Sequence, residues 1–356
     1  MINKKIIIVA AVAVTIAAII SYFGIAMLPK NTTVSIPSVS NTQENLTLNG
    51  SSLKLVQTIP LDVKGRIDHM DIDLNNLRLF VTALGNDSVE ILDLKAGKVV
   101  HDITGLNEPQ GILYIPEYNR IFVANGGDGT VKIFDASSFN LINNAKFSGD
   151  ADNLRYDIYD KVVYVGYGNG ALGIINASNG NILGNIKLDG HPESFQVSGE
   201  IEPGIFVNIP EDKSITVVDG QKRVVSAKWS LGGAAGNFPM ALDEDSYLLF
   251  AGFRDPPRLV VFDTSSGKPI SSLDICGDPD DIFYDKAKKS LYVSCGQGFI
   301  DVIEKLDRDH YAMIDKIPTA HGARTSLFVP ELNRFYLAVP QQDGHEAQIQ
   351  IYQTQS

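Results

Sequence analysis

Six oxygen-bearing side chains, Asp68, Asp152, Asn153, Glu193, Asp280 and Asp281, are the groups in this sequence best suited to hold a cation or a polar ligand. A hard cation such as Ca²⁺ takes about six to eight oxygens from carboxylates, amides and carbonyls. His69 stands beside Asp68, and an imidazole next to a carboxylate can act as a general base near neutral pH. Arg254 and Arg324 add two guanidinium forks able to clamp a carboxylate or a phosphate. These residues are far apart in the chain. For them to act at one place, the fold must return to the same point several times.

The sequence supplies such a return. Apolar segments recur around an aromatic residue at Phe80, Phe122, Tyr164, Phe206, Phe250, Tyr292 and Tyr336, in steps of 42 to 44 residues. A second series, Asp93, Asp135, Asn176, Asp219, Asp263 and Glu304, keeps the same period. Short apolar runs bounded by Gly, Asn and Asp are strands joined by turns, and 3.6-residue periodicity is missing after residue 30. Three or four short strands in a repeat of this length are the signature of a β-propeller. Seven anchors predict seven blades, each with strands A to D. The last blade, from Gly322 to Tyr352, has strands A, B and C but lacks D. LKLVQTIPL, Leu53 to Leu61, is the available fourth strand, and its pairing there would close the ring. The Asp series is turn chemistry: a carboxylate a few residues before a Gly, as in FDTSSGK, accepts backbone N–H bonds.

Blade 1, FVTALGNDSVEILDLKAGKVV, resembles the Tyr-Val-Thr-Asn (YVTN) propeller repeat, with Phe80-Val81-Thr82-Ala83 on the signature and Asp93 on its aspartate. FVANGGDGTVKIFD in blade 2 is similar. Segments of blades 5 to 7, among them NFPMALDE, GDPDDIFYD and GARTSLFVPEL, resemble the YncE-like members of that group. The resemblance implies a seven-bladed propeller of an exported or surface protein. It implies no single activity, because propellers host binding, hydrolysis and redox chemistry alike.

Aligning the blades on their aromatic anchors predicts which residues begin each strand A and face the central channel: Asp68, Gln110, Asp152, Glu193, Phe238, Asp280 and Arg324. The next position reads His69, Gly111, Asn153, Ser194, Pro239, Asp281 and Thr325. The channel mouth is therefore expected to be acidic, with Arg324 on it and Arg254 nearby in the B-to-C loop FRDPPR. Like charges gathered there must be offset by a cation, by arginine or by raised pKa values. His101, His191, His310, His321 and His345 show no metal-binding spacing, and His191 and His321 fall on D-to-A turns. No C-x-x-C-H motif for haem occurs.

Lys4 and Lys5 precede an uncharged apolar run, residues 6–28, long enough to span a bilayer and longer than a typical cleaved signal sequence. It is expected to be an uncleaved signal anchor. Residues 29–52 are rich in Ser, Thr and Asn and read as a flexible stalk, leaving 53–356 as the propeller domain outside the cytoplasm. Sequons at Asn31, Asn45, Asn49, Asn86 and Asn176 fit glycosylation where the host has the machinery. The net charge of −12 excludes a nucleic-acid partner, which needs a basic footprint. Strand A of blade 6 should run between the two cysteines, Cys276 and Cys295, which predicts two half-buried free thiols. The expected function is a membrane-anchored module that binds a ligand or surface protein at the channel mouth. The alternative is a metal-dependent, lactonase-like hydrolase or lyase that uses the acidic mouth with His69.

Overall fold

The computed structural model describes residues 51–199, 204–231, 233–342 and 344–355; the anchor segment 6–28 and nearly all of the stalk 29–52 lie outside them. Among the described residues, no helix is long and apolar enough to cross a membrane. The described residues form seven four-stranded antiparallel sheets, one per repeat.

Blade 2 shows why a repeat folds this way. Its strands A to D are Pro109–Ile115, Arg120–Asn125, Thr130–Asp135 and Leu141–Lys146. Strand B is apolar on both faces because sheets pack on both sides of it. The anchor Phe122 is buried there, between Ile115 of its own blade and Val163 and Val165 of blade 3. All seven anchors are buried in the same way. Gly129 turns strand B into strand C at φ +67, and a Cβ there would come within 2.5 Å of the Gly149 Cα. Asp135 closes the C-to-D turn by accepting the N–H groups of Ser137 and Ser138. Asp93 and Asp263 do the same in blades 1 and 5.

The sheet of blade 7 is completed by Leu53–Leu61, antiparallel to Ala347–Thr354, with Leu53 opposite Thr354 and Leu61 opposite Ala347. Ile59 of this strand is buried in a core shared with Leu79 and Leu92 of blade 1 and Tyr336 of blade 7.

One finding departs from the sequence reading. Cys276 and Cys295 are not free thiols but form a disulfide, with Cα atoms 5.9 Å apart. The path between them is open because Cys276 lies past the end of strand D of blade 5 (Lys268–Asp274), beside the end of strand B of blade 6 (Ser290–Cys295). The Asn86 sequon lies in an exposed turn, where its side-chain amide donates to the Asp62 carbonyl and accepts from the Lys64 N–H.

Candidate functional site at the channel mouth

In blades 2, 3, 5 and 6 the ladder from strand A to strand B is broken where strand A starts. Pairing skips Gln110 and Gly111 between Pro109 and Ile112, and Asp152 and Asn153 between Ala151 and Leu154. It skips Phe238 and Pro239 between Asn237 and Met240, and Asp280 between Pro279 and Asp281. A bulge of this kind frees a residue from the pleat and re-aims its side chain. In these four blades the mouth residues are the ones released from strand alternation, while Asp68, Glu193 and Arg324 precede the first paired residue of their strand A.

At three of the seven anchors, the side chain two residues on holds the backbone at these strand starts. Thr82 donates its hydroxyl to the carbonyls of His69 and Gln110. The Asn208 amide donates to the carbonyls of Phe238 and Pro239, and the Ser294 hydroxyl to that of Arg324. In each case the bond reaches strand A of the next blade. Gly111 permits a closer approach: a Cβ there would lie 2.1 Å from the Asp152 carbonyl oxygen.

The mouth opens into a cavity of about 500 Å³ lined by Arg66, Gln110, Asp152, His191, Glu193, Arg254, Asp280 and Arg324, among others. One wall is a closed set of ion pairs. Arg254, expected in the B-to-C loop, instead ends strand B of blade 5 (Leu248–Asp255), because its backbone still pairs with Pro257 of strand C; it contacts Asp278 at 3.0 Å and also pairs with Asp280. Arg324 contacts the same two carboxylates, at 2.7 and 3.1 Å. The Arg254 guanidinium also lies over the Phe238 ring, 3.6 Å from its centre. Neighbouring them, Asp68 is 1% exposed and contacts Arg66 at 2.7 Å and the His69 Nδ1 at 3.0 Å. Burial opposes the charge on Asp68, but His69, Arg66 and Arg324 hold its carboxyl below the usual carboxylate range. Burial likewise opposes protonation of His69, and the carboxylates of Asp68, Asp152 and Asp281 outweigh it, raising the imidazole to about 9. His69 is thus an imidazolium at neutral pH and is not a free general base there.

The opposite wall is different. Asp152 is 7% exposed, and its Oδ1 is buried without a hydrogen-bond partner among the described residues. Its Oδ2 accepts from the Asn153 amide at 3.4 Å and lies 3.9 Å from the His191 Nε2. Glu193 has no hydrogen-bond or ion-pair partner for its carboxyl among the described residues. Burial, with Asp152 nearby, pushes it up to about 7. His191 bonds the Gly168 carbonyl through Nδ1 at 2.6 Å. Burial lowers its basicity, but Asp152, the Gly168 carbonyl and Asp150 together raise it to about 9.

Below the mouth lies a second polar layer. The Asp281 Oδ2 accepts the Ser326 N–H at 2.7 Å, and burial raises that carboxyl to about 7. Asp71 accepts the N–H groups of Tyr114 and Ile72, and burial raises it to about 6. Arg155 donates to the Leu154 carbonyl at 2.8 Å, and burial lowers its pKa against the attraction of Asp281, Asp152 and Asp71.

The structure therefore brings Asp68, Asp152, Glu193, Arg254, Asp280 and Arg324 to one mouth, with His69, Asn153 and Asp281 beside or beneath it. It does not bring the carboxylates onto one point. Among the described residues, one trio of metal-ligating side chains has its ligand atoms within 4.8 Å of one another, and it is the exposed Asp307, Asp309 and His310. The expected Ca²⁺ shell of Asp68, Asp152, Glu193 and Asp280 is not assembled, because two of its members are held by arginines. Sequence reasoning missed Arg66, Asp150, His191 and Asp278 at the mouth, and Asp71 and Arg155 beneath it. The last two lie two positions after His69 and Asn153, so carrying the strand alternation one step further would have found them.

No protein-family model and no curated protein matches the chain. Among solved structures, it is similar to a chain in "Crystal Structure of Mitotic Checkpoint Complex", at 12% identity and a TM-score of 0.73, covering 94% of this chain and 100% of that one. It is also similar to a chain of Kuenenia stuttgartiensis hydrazine synthase, at 15% identity and a TM-score of 0.67, covering 78% and 94%. At such identities the likeness is one of fold.

Proposed function

We propose that this chain is a propeller of the YVTN-type, YncE-like kind that holds a polar ligand at its channel mouth. In this reading residues 6–28 anchor it in a membrane, residues 29–52 are its stalk, and Leu53–Leu61 closes the ring outside the cytoplasm. The observation that carries the binding function is the under-satisfied wall of the mouth: Asp152, whose Oδ1 is buried without a partner, and the half-buried Glu193, whose carboxyl has no partner among the described residues, both line a cavity of about 500 Å³. A buried acceptor without a partner is costly, and a ligand donor is the ordinary remedy. A cavity of this volume is in the usual range for small-molecule sites.

The extracytoplasmic location rests on Lys4 and Lys5 ahead of the apolar run, and it accords with a disulfide, which persists in oxidising compartments. A mouth that anchors a surface protein instead would use the same groups; propeller chains such as the one in the mitotic checkpoint complex occur in protein assemblies. The metal-dependent hydrolase gains no support, since the acidic residues do not converge and His69 is already protonated.

The test is a thermal-shift screen of the full chain in detergent against cationic, anionic and neutral small molecules, repeated on a Gln110→Trp variant whose indole fills the mouth. Ligands that raise the melting temperature of the wild type and leave the variant unmoved support the reading. Hits that shift both proteins alike place binding elsewhere and overturn it.

A further inference from the structure

The two walls of the mouth differ in what they leave free, and that difference identifies the ligand class. We propose that the mouth selects a small organic cation carrying a primary ammonium or guanidinium group. The inference rests on the binding function proposed above.

On the arginine side, Arg66, Arg254 and Arg324 are matched by Asp68, Asp278 and Asp280. An anionic ligand would have to break one of these pairs to reach a guanidinium. On the other side Asp150, Asp152, Glu193 and Glu211 line the same cavity; His191 is the cation within 4 Å of Asp150 and Asp152, while Arg254, already paired with Asp278 and Asp280, acts on Glu193 only from a distance. The acceptors on this wall are in surplus, and the Asp152 Oδ1 is both buried and unpaired.

Geometry narrows the cation. The acidic oxygens are too dispersed to wrap a single ion. A guanidinium presents five N–H donors in a fan and an ammonium three, so either can reach separate acceptors. A quaternary ammonium has no N–H donor and relies on open aromatic faces. Phe238 is the aromatic ring of Phe, Tyr or Trp lining the cavity, and the Arg254 guanidinium already covers it. Quaternary ammonium compounds are therefore excluded from the class.

Protonation gives the site a pH dependence. Glu193 is held up at about 7 by burial and by Asp152 and Asp280, against His191 and Arg254. A bound cation favours its ionised form, so binding releases a proton and tightens as pH rises from about 6 to 8.

The experiment is titration calorimetry on the full chain in detergent with agmatine, putrescine, tetramethylammonium, succinate and a short peptide with one internal arginine. Agmatine and putrescine are expected to bind, Asp152→Asn and Glu193→Gln each to weaken them by about tenfold or more, and tetramethylammonium and succinate to give no heat. Succinate binding that is lost in Gln110→Trp would overturn the cation class while leaving the mouth as a binding site. Binding of the peptide without agmatine or putrescine would overturn the small-molecule class. No heat from any probe, together with a thermal-shift screen that finds no mouth ligand, would overturn both readings. Two folded variants that bind agmatine as tightly as the wild type would overturn the assigned acceptors.

Discussion

Replacing Glu193 by glutamine should stabilise the protein at neutral and alkaline pH and leave it unchanged near pH 4.5. The carboxyl is half-buried with no hydrogen-bond or ion-pair partner among the described residues, and its pKa rises from 4.5 to about 7 on folding. Between those values the native state holds a proton that the unfolded chain has released. Unfolding therefore becomes easier as pH rises through this window, and the loss is complete above about 7. Each pKa unit corresponds to about 1.36 kcal/mol, so the wild type forfeits on the order of 3 kcal/mol at this residue. For a domain of this size that is on the order of 5 °C in melting temperature. His69 and His191 give a second, separable slope. Their raised pKa values, about 9 against 6.5, contribute stability that is present below about 6.5 and is lost as pH rises through 9. Melts followed by near-ultraviolet circular dichroism from pH 4 to 9 should show the wild type declining across both windows. Glu193→Gln should decline less steeply than the wild type in the first, where Asp281 and Asp71 still titrate, and in parallel with it in the second. Parallel curves for the two proteins between pH 4.5 and 7 would refute the reasoning, as would a variant less stable than wild type at pH 8.

Three further outcomes follow from the same structure. Asp280 is 15% exposed at its side chain and Asp278 39%, though each contacts both Arg254 and Arg324; Asp280→Asn should cost about 2 kcal/mol and Asp278→Asn less than about 1 in urea denaturation, and equal costs would show that burial does not govern the cluster. Reducing Cys276–Cys295, which are 19 residues apart in sequence, should lower stability by about 3 kcal/mol; a urea midpoint indifferent to reductant would mean the bond is absent or inert. Ile59→Ala should cost about 3 kcal/mol, since the side chain is fully buried between blades 7 and 1; a neutral effect would show that Leu53–Leu61 does not seat there.

The seven blades were legible because each must solve the same packing problem. Strand B lies between two sheets, so it needs a large buried ring, and Phe80, Phe122 and their successors report that need directly. The outer strand was less legible. In every sheet strand D carries one extra residue against strand C: Val56, Val100, Ile142, Leu183, Ser226, Ile270 and Ile314. Two successive apolar residues, as at Leu141 and Ile142, break alternation and look like a buried strand, yet both are exposed. The bulge twists an otherwise flat edge, which protects it from pairing with other chains. Side-chain pattern alone does not separate that device from a core.

The mouth shows the same limit from the functional side. The residue types there were readable, because anchor spacing fixes where each strand A begins. Their partners were not. Asp280 and Asp152 hold equivalent places in blades 6 and 3, and nothing in their local sequence distinguishes them. What separates them is arginine supplied from elsewhere: Arg254 on strand B of blade 5 and Arg324 at the start of blade 7 both turn to Asp280, while among the described residues no arginine pairs with Asp152, whose Oδ2 has the Asn153 amide at 3.4 Å and the His191 Nε2 at 3.9 Å. The register breaks at the strand starts make this possible, since they let a side chain leave the pleat toward a neighbouring blade. An acid matched in this way is architecture. An acid left unmatched in the same ring, at a cost to stability of the kind expected for Glu193, is where a ligand has something to contribute.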